Sequence, residues 1–508
     1  MVSDCDTDDL DLLDSSLRRN FDQPDAEYLI DARSARVIRY GDLAPALAQR
    51  RAQFDAWGLR PGDRVGLLFV EPISFVQWFL AGLHAGLWVA PLDPTAAASS
   101  SQVIDHRAHA LSLAVVISDH AEPREGSTRW LVATNTLREG GPLSAEAPGG
   151  GVLLASSGTT GAPKVMALSK KQLLTNARLI AENHEFTRSD RGFNPLPLWH
   201  INAEVVGVLA SLYAGSALVL DDRFHRTGFW KVVDDLQATW INAVPAIISH
   251  LAALQEGERA APRLRFVRSA SAPLSPLLMR EFELTTGVDV IESYGMTEAG
   301  SQICANPLGE ARKSGSVGRP VGVEVCVVSS LKGRETELAA GEIGLVKIKG
   351  PTVITSYESA EYADRFDAEG WLRTGDLGYF DADGFLFLVG RSDDVINRGG
   401  EKIYPQEIEN VLGTVENLQR VVVVGEPDDV FGQLPVAYLE AAPSVTQDLA
   451  QLRDFLDSVR HVLNDRLTKA YRPATLKVVT SIPTHATGKV RKALVRDGEV
   501  TVVLAEPL

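Results

Sequence analysis

Cysteine is scarce: Cys5, Cys304 and Cys326 are the three in 508 residues, with no metal-like spacing and no framework for disulfides. That excludes a disulfide-stapled scaffold and fits a reducing, cytoplasmic setting. Positive charge is also short. Lys and Arg number 50 against 66 Asp and Glu, a formal net charge of -16, which argues against nucleic acid as a partner because phosphate repulsion must first be offset. Any polyanion must be met by local cations. Long apolar runs are missing as well: the most apolar region, Val65 to Pro91, is broken by Glu71, Pro72, Gln77 and His84, which excludes an integral membrane segment there. The start has no basic-then-apolar leader, and with eight Asp in its first 25 residues it reads as a frayed, solvated arm.

What is present is a soluble-type composition, 45% hydrophobic and 23% charged, at a length that calls for two to four domains or subdomains. From Tyr40 to Ser118 helix-like and strand-like pieces alternate: Leu43 to Trp57 and Phe75 to Leu87 have helical spacing, while Arg64 to Val70, Val89 to Leu92 and Leu113 to Ile117 read as buried strands. This is α/β texture. Further strands are expected at Ala217 to Leu220, Trp240 to Val244, Leu264 to Val267 and Val288 to Ile291. After about Gly315 the texture turns β-rich, with a hairpin signal at Asp383-Gly384. The expected architecture is α/β: a large N-terminal domain (1–390) of packed α/β subdomains plus a β-barrel-like subdomain, a hinge (391–394), and a small mobile C-terminal α+β domain (395–508).

The chain is organised around Val152 to Ser169, VLLASSGTTGAPKVMALS. A buried strand runs into Ser156, Ser157, Gly158, Thr159, Thr160 and Gly161, followed by Pro163 and Lys164. Glycines let consecutive N–H groups point at one anion while hydroxyls and a cation stand beside them, which makes a phosphate cradle. Lys164 is followed by Val165, so this is not the common P-loop. Ser169 is placed to cap a helix through about Asn183, with phosphate on a loop between strand and helix.

Four more motifs follow. Glu292 to Glu298, ESYGMTE, brings a Tyr, a Thr and a carboxylate within five positions on a loop directly after a strand. Trp371 to Asp376, WLRTGD, leads to Arg391; an Asp there can accept from ribose hydroxyls, and a permanent Arg cation can donate to ribose or phosphate oxygens. Ser392 to Glu409 holds the paired glycines Gly399 and Gly400, with Pro405 opening a helix. Pro483 to Lys492, PTHATGKVRK, sets Lys489 in a Thr-Gly turn.

In this order and with spacings over most of the chain, the five motifs closely resemble the signatures of the adenylate-forming superfamily of acyl-CoA synthetases, adenylation domains and beetle luciferases. The resemblance implies ATP-dependent activation of a carboxylic acid through an acyl-adenylate, release of pyrophosphate, and transfer to coenzyme A, with ATP, Mg²⁺ and coenzyme A as cofactors. It assigns ATP or AMP binding to Ser156, Ser157, Gly158, Thr159, Thr160, Gly161, Lys164, Ser271, Ala272, Glu292, Ser293, Tyr294, Gly295, Met296, Thr297, Asp376, Arg391 and Lys489. Catalytic roles fall to Lys489, Thr160, Lys164, Glu298 and His200, with Glu298 on the metal. Asp393 would be the hinge, and Arg398, Gly399 and Gly400 the loop that meets the thiol.

The acid's pocket is expected along Pro197 to Val206 with Arg268 to Pro273, RSASAP, naming Trp199, His200, Asn202, Glu204, Ser269, Ser271, Gly295 and Met296. Asn202 and Glu204 are polar where fatty-acid enzymes are apolar, which suggests a small or functionalised acid, aromatic ones included. No Asp lies between Pro195 and Leu220 to hold an α-amine, which disfavours an ordinary α-amino acid, and Glu204 could hold a more distant amine. No carrier-protein domain is fused, so free coenzyme A is the leading acceptor, ahead of a separate carrier protein or a non-thiol nucleophile such as nitrite. A non-catalytic nucleotide-binding regulator would carry a broken Lys489, Glu298 or Asp376, and all three are intact. Nucleic acid and membrane are not expected partners, and the assembly is expected to be a monomer or homodimer.

Overall fold

The computed structural model describes residues 12–95, 101–119, 129–133, 143–156, 164–253, 262–331, 334–484 and 490–508. Alternating βα segments make two largely parallel sheets in the part of the chain that ends at Pro320. One has nine strands, and its parallel centre runs Asp289–Met296, Phe266–Ser269, Trp240–Ala243, Arg191–Asn194, Ala217–Leu220 and Glu27–Asp31. The other has six, with Arg64–Leu68 between Trp88–Pro91 and Val115–Ser118. These short apolar strands are buried on both faces because helices cover them, as parallel sheets require.

The β-rich stretch forms a five-stranded antiparallel sheet that includes Leu372–Phe380 and Leu386–Arg391, joined by the Asp383-Gly384 turn. A six-stranded sheet built on the long Leu418–Asp428 and Gly432–Ala441 pair makes the C-terminal unit, covered by the Leu449–Arg466 helix. One continuous core runs from Leu13 to Leu386, and separate cores begin at Ile396.

Three expectations are corrected. The phosphate loop does not join a strand to a helix: Gly151–Ser156 is followed by an antiparallel partner, Lys164–Ser169, and only then by the Lys170–Asn183 helix. Ser169 caps that helix as expected, its hydroxyl accepting from Gln172 N while Gln172 Oε1 accepts from Ser169 N at 2.9 Å. The ESYGMTE motif is not a loop; the strand continues through Met296, paired with Ser301–Ala305. The N-terminal arm is not frayed from Leu12 on. Leu12–Phe21 is a helix that buries Leu13 and Leu17, because apolar residues four apart fall on one face.

Candidate active site

Lys164 is the first residue of the second strand of the hairpin. Its ammonium lies 2.6 Å from Glu298 Oε1, a residue 134 positions away. Tyr357 donates its hydroxyl to the same oxygen at 3.0 Å, and the Lys164 cation sits 4.2 Å from the centre of the Tyr357 ring. Burial and the Glu298 charge raise the Tyr357 phenol pKa, so it stays a donor.

Glu298 is held there by its turn. Buried Asn176, on the Lys170–Asn183 helix, donates to the carbonyls of Ala299 at 2.8 Å and Gly300 at 2.9 Å, and Ile354 N donates to the Glu298 carbonyl at 2.8 Å. The strand pair before it depends on Gly295: a Cβ at that position would lie 1.4 Å from the Ser301 carbonyl oxygen. No side chain fits there.

A second cluster joins the next two motifs. Asp376 and Arg391 face each other across adjacent strands, with Arg391 Nη1 donating to Asp376 Oδ1 at 3.1 Å while the Tyr294 hydroxyl donates to Oδ2. Burial, then the Asp376 charge, pushes the Tyr294 phenol well above its ordinary range. Tyr294 thus links the ESYGMTE strand to the TGD strand. Glu292 and Ser293 turn inward from the same strand: Glu292 Oε1 accepts from Leu274 N at 3.2 Å, and Ser293 donates to the Ser269 carbonyl at 3.2 Å. Burial lifts the Glu292 carboxyl to about 8, partly offset by the Leu274 amide.

The expected acid pocket contains a polar row. Strands Arg191–Asn194, Trp240–Ala243 and Phe266–Ser269 place Asn194, Asn242 and Arg268 in register near their C-terminal ends, and period-two alternation puts the three on one face. Ligands of open α/β sheets bind outside those ends. Asn202, just before a buried π-helical stretch (Ala203–Leu209), lies against this row and donates to Ser271 Oγ at 3.4 Å. Ser271 has φ +73, an unusual backbone for a serine and one that concentrates at ligand sites. His200 is half-buried beside Trp199, their rings 6.1 Å apart, and Glu204 is fully buried.

Arg398 donates to the carbonyls of Ala470 at 2.6 Å and Lys469 at 3.3 Å and lies over the Phe431 ring, all within the C-terminal unit. Gly399 and Gly400 form a tight turn with φ +60 and +96. Ser157, Gly158, Thr159, Thr160, Gly161 and Lys489 lie outside the described residues. Tyr357 and the individual roles of Asn242 and Gln302 escape sequence reading, because nothing in their local spacing marks them. Arg268 does carry a signal, a cation following two apolar residues in the buried strand FVRS.

The donor set fits a magnesium nucleotide: one ammonium and one carboxylate side by side, then a carboxylate–guanidinium pair able to meet a ribose. Relatives agree. An oxalate–CoA ligase of Arabidopsis thaliana is 33% identical over 488 residues, 90% of this chain and 92% of that one. A sulfoacetate–CoA ligase of Cupriavidus necator is 32% identical over 497 residues, 92% and 94% of the two chains. The o-succinylbenzoate coenzyme A synthetase of Bacillus subtilis, solved in complex with ATP and magnesium ion, superposes with a TM-score of 0.81 at 26% identity over 95% of this chain and 98% of that one. The AMP-binding enzyme model matches residues 17–358 and that of the AMP-binding enzyme C-terminal domain residues 407–489, so the chain belongs to the adenylate-forming superfamily, as an AMP-forming acid–thiol ligase.

Proposed function

We propose that the acid activated is a small or functionalised one and that the residues gathered here divide the work as follows. A carboxylate oxygen of the acid attacks the α-phosphorus of ATP, the bond from that phosphorus to the bridging oxygen breaks, and pyrophosphate leaves. The thiol of coenzyme A then attacks the acyl carbon, loses its proton to solvent, and AMP departs. Lys164 neutralises charge on the departing phosphates, and Glu298 would hold the metal. When bound, magnesium supplies further screening of that charge. Tyr357 fixes the Glu298 carboxylate, and Asp376 with Arg391 orients the ribose while Tyr294 sets the Asp376 carboxylate. Such preorganised contacts are each worth ~10²- to 10³-fold in rate.

The observation that carries this reading is the Lys164–Glu298 pair at 2.6 Å, which joins two motifs far apart in sequence. Lys489 and the Arg398 loop would serve successive half-reactions, with residues 391–394 as the hinge between a large unit (1–390) and a small one (395–508). The relatives named for oxalate and sulfoacetate support a small acid. Among the described residues no helix is long and apolar enough to cross a membrane; the scarcity of cysteine, with Cys304 and Cys326 free, supports a cytoplasmic setting.

The test is a mass-spectrometric assay with ATP and Mg²⁺ across small, aromatic and amino-substituted acids, with and without coenzyme A. Acyl-CoA formed from one of them is the expected result. Acyl-adenylate without thioester would move the acceptor to a carrier protein or a non-thiol nucleophile, and no AMP from any acid would overturn the reading.

A further inference from the structure

Among the described residues Arg268 is a cation without a carboxylate partner. It is 1% exposed, and its hydrogen bonds go to three neutral amides: Nη1 to Asn202 Oδ1 at 3.2 Å and Asn242 Oδ1 at 3.4 Å, and Nη2 to Gln302 Oε1 at 3.3 Å. These are long bonds for so strong a donor. Two buried acids belong to neighbouring elements, and neither forms an ion pair with it. Among the described residues Glu204 has no partner at either carboxyl oxygen, and burial raises its pKa well above the ordinary carboxylate value. Glu292 is spent on Leu274 N through one oxygen and unpartnered at the other. Burial lowers the Arg268 pKa to about 9, which still leaves it charged at neutral pH. Buried charges are ordinarily paired.

The orientation of the surrounding amides follows from what each end can do. A guanidinium only donates, so Asn202, Asn242 and Gln302 turn their oxygens to it. At the other end the Leu196 carbonyl only accepts: Asn194 gives it an N–H at 2.9 Å and presents its own oxygen to Asn242 Nδ2 at 2.9 Å. Among the described residues, the valences left without a partner in this row are Arg268 Nε–H and the Gln302 Nε2 amide, with the Ser269 hydroxyl on the same strand end. The two nitrogens can only donate. Unused donors around an uncompensated cation, at the C-terminal ends of parallel strands and under the loop that carries Ser271, describe an oxyanion site.

We infer that Arg268, flanked by Gln302 and Asn202, receives a second anionic group of the acid, so that the substrate carries a carboxylate or sulfonate besides the carboxyl it activates. The inference rests on the acid-activating reading above and deepens it by naming the substrate class. Arg268 is then a specificity residue: it binds the end of the acid that does not react.

The experiment measures AMP release with coenzyme A present for matched acids that differ by one anionic group: propionate and malonate, butyrate and succinate, benzoate and phthalate. In at least one pair the diacid should be favoured in kcat/KM by at least about tenfold, the scale of a charge-assisted hydrogen bond. Arg268→Met should erase that preference with the KM for ATP unmoved, and Arg268→Lys should restore part of it. Asn242→Asp sets an internal counter-charge 3.4 Å from the guanidinium and should also abolish the preference, which keeps the test decisive if Arg268→Met does not fold. Preference for the monoacid in every pair, or a ratio unchanged by Asn242→Asp, overturns the inference while leaving acid activation in place. No AMP from any acid overturns both.

Discussion

At the scale of single residues, two groups carry distinct expectations. Lys164 and Glu298 act as one unit, so Lys164→Met should slow acyl-adenylate formation by ~10²- to 10³-fold. Adding Glu298→Gln should cost little more, since coupled residues are not additive. Rapid-quench measurement of pyrophosphate checks this, and full additivity would separate the two roles. Glu292 predicts a pH effect. Burial raises its carboxyl from the usual 4.5 to about 8, so between those values the folded protein holds a proton that the unfolded chain has released. Stability from this group is complete below about 4.5 and is lost as pH rises through about 8. Glu292→Gln stays neutral and keeps an oxygen for Leu274 N, so it should flatten the fall in melting temperature across that window and melt higher than the parent at its alkaline end. Parallel curves would show that Glu292 is not protonated in the fold.

At the scale of elements, the site is built from strand ends and the turns that follow them. The Asp289–Met296 and Ser301–Ala305 pair brings Tyr294 to Asp376 and Glu298 to Lys164 in one stroke. Its weak point is Gly295, where an added Cβ would overlap the Ser301 carbonyl at 1.4 Å. Gly295→Ala must push the strands apart and should cost about 3 kcal/mol or more, seen as a lowered melting temperature together with lost nucleotide binding. A variant that melts like the parent would mean the strands can open without cost. The hairpin before the Lys170–Asn183 helix matters in the same way. Because the phosphate loop connects antiparallel strands, Lys164 is fixed by strand pairing, in register with Ser156, and not by the first turn of a helix.

At the scale of the whole molecule, separate cores end at Leu386 and begin at Ile396. The short Ser392–Asp394 turn lies between them, and Asp394 is already tied to the C-terminal unit through Arg496 and, at 3.7 Å, Lys492. Rotation of one unit on the other would then be absorbed at Asp393. Asp393→Pro fixes φ near one value and should spare adenylation or thioester formation selectively, measured as pyrophosphate release against acyl-CoA yield. Equal loss of both half-reactions would place the hinge elsewhere.

The reaction was legible in the sequence through the ordered motifs that resemble the adenylate-forming superfamily, and they are legible because phosphate cradling, ribose binding and charge screening each demand particular residue types within a few positions of one another. Short-range order of that kind survives without coordinates, as do the strand and helix at Val152 to Asn183 and the hairpin at Asp383-Gly384. Tertiary structure decided what depends on partners distant in the chain. Tyr357 reaches Glu298 across 59 positions and Asn176 reaches Ala299 across 123, and no local pattern announces either. The same holds for the edges of elements. Gly295 and Met296 look like a loop in sequence, and only the pairing with Ser301–Ala305 extends the strand through them. Likewise Leu12–Phe21 looks solvated until a neighbouring core buries Leu13 and Leu17. Charge is the clearest case: an arginine in FVRS could have met a carboxylate anywhere in the chain, and it was folding that surrounded Arg268 with amides instead.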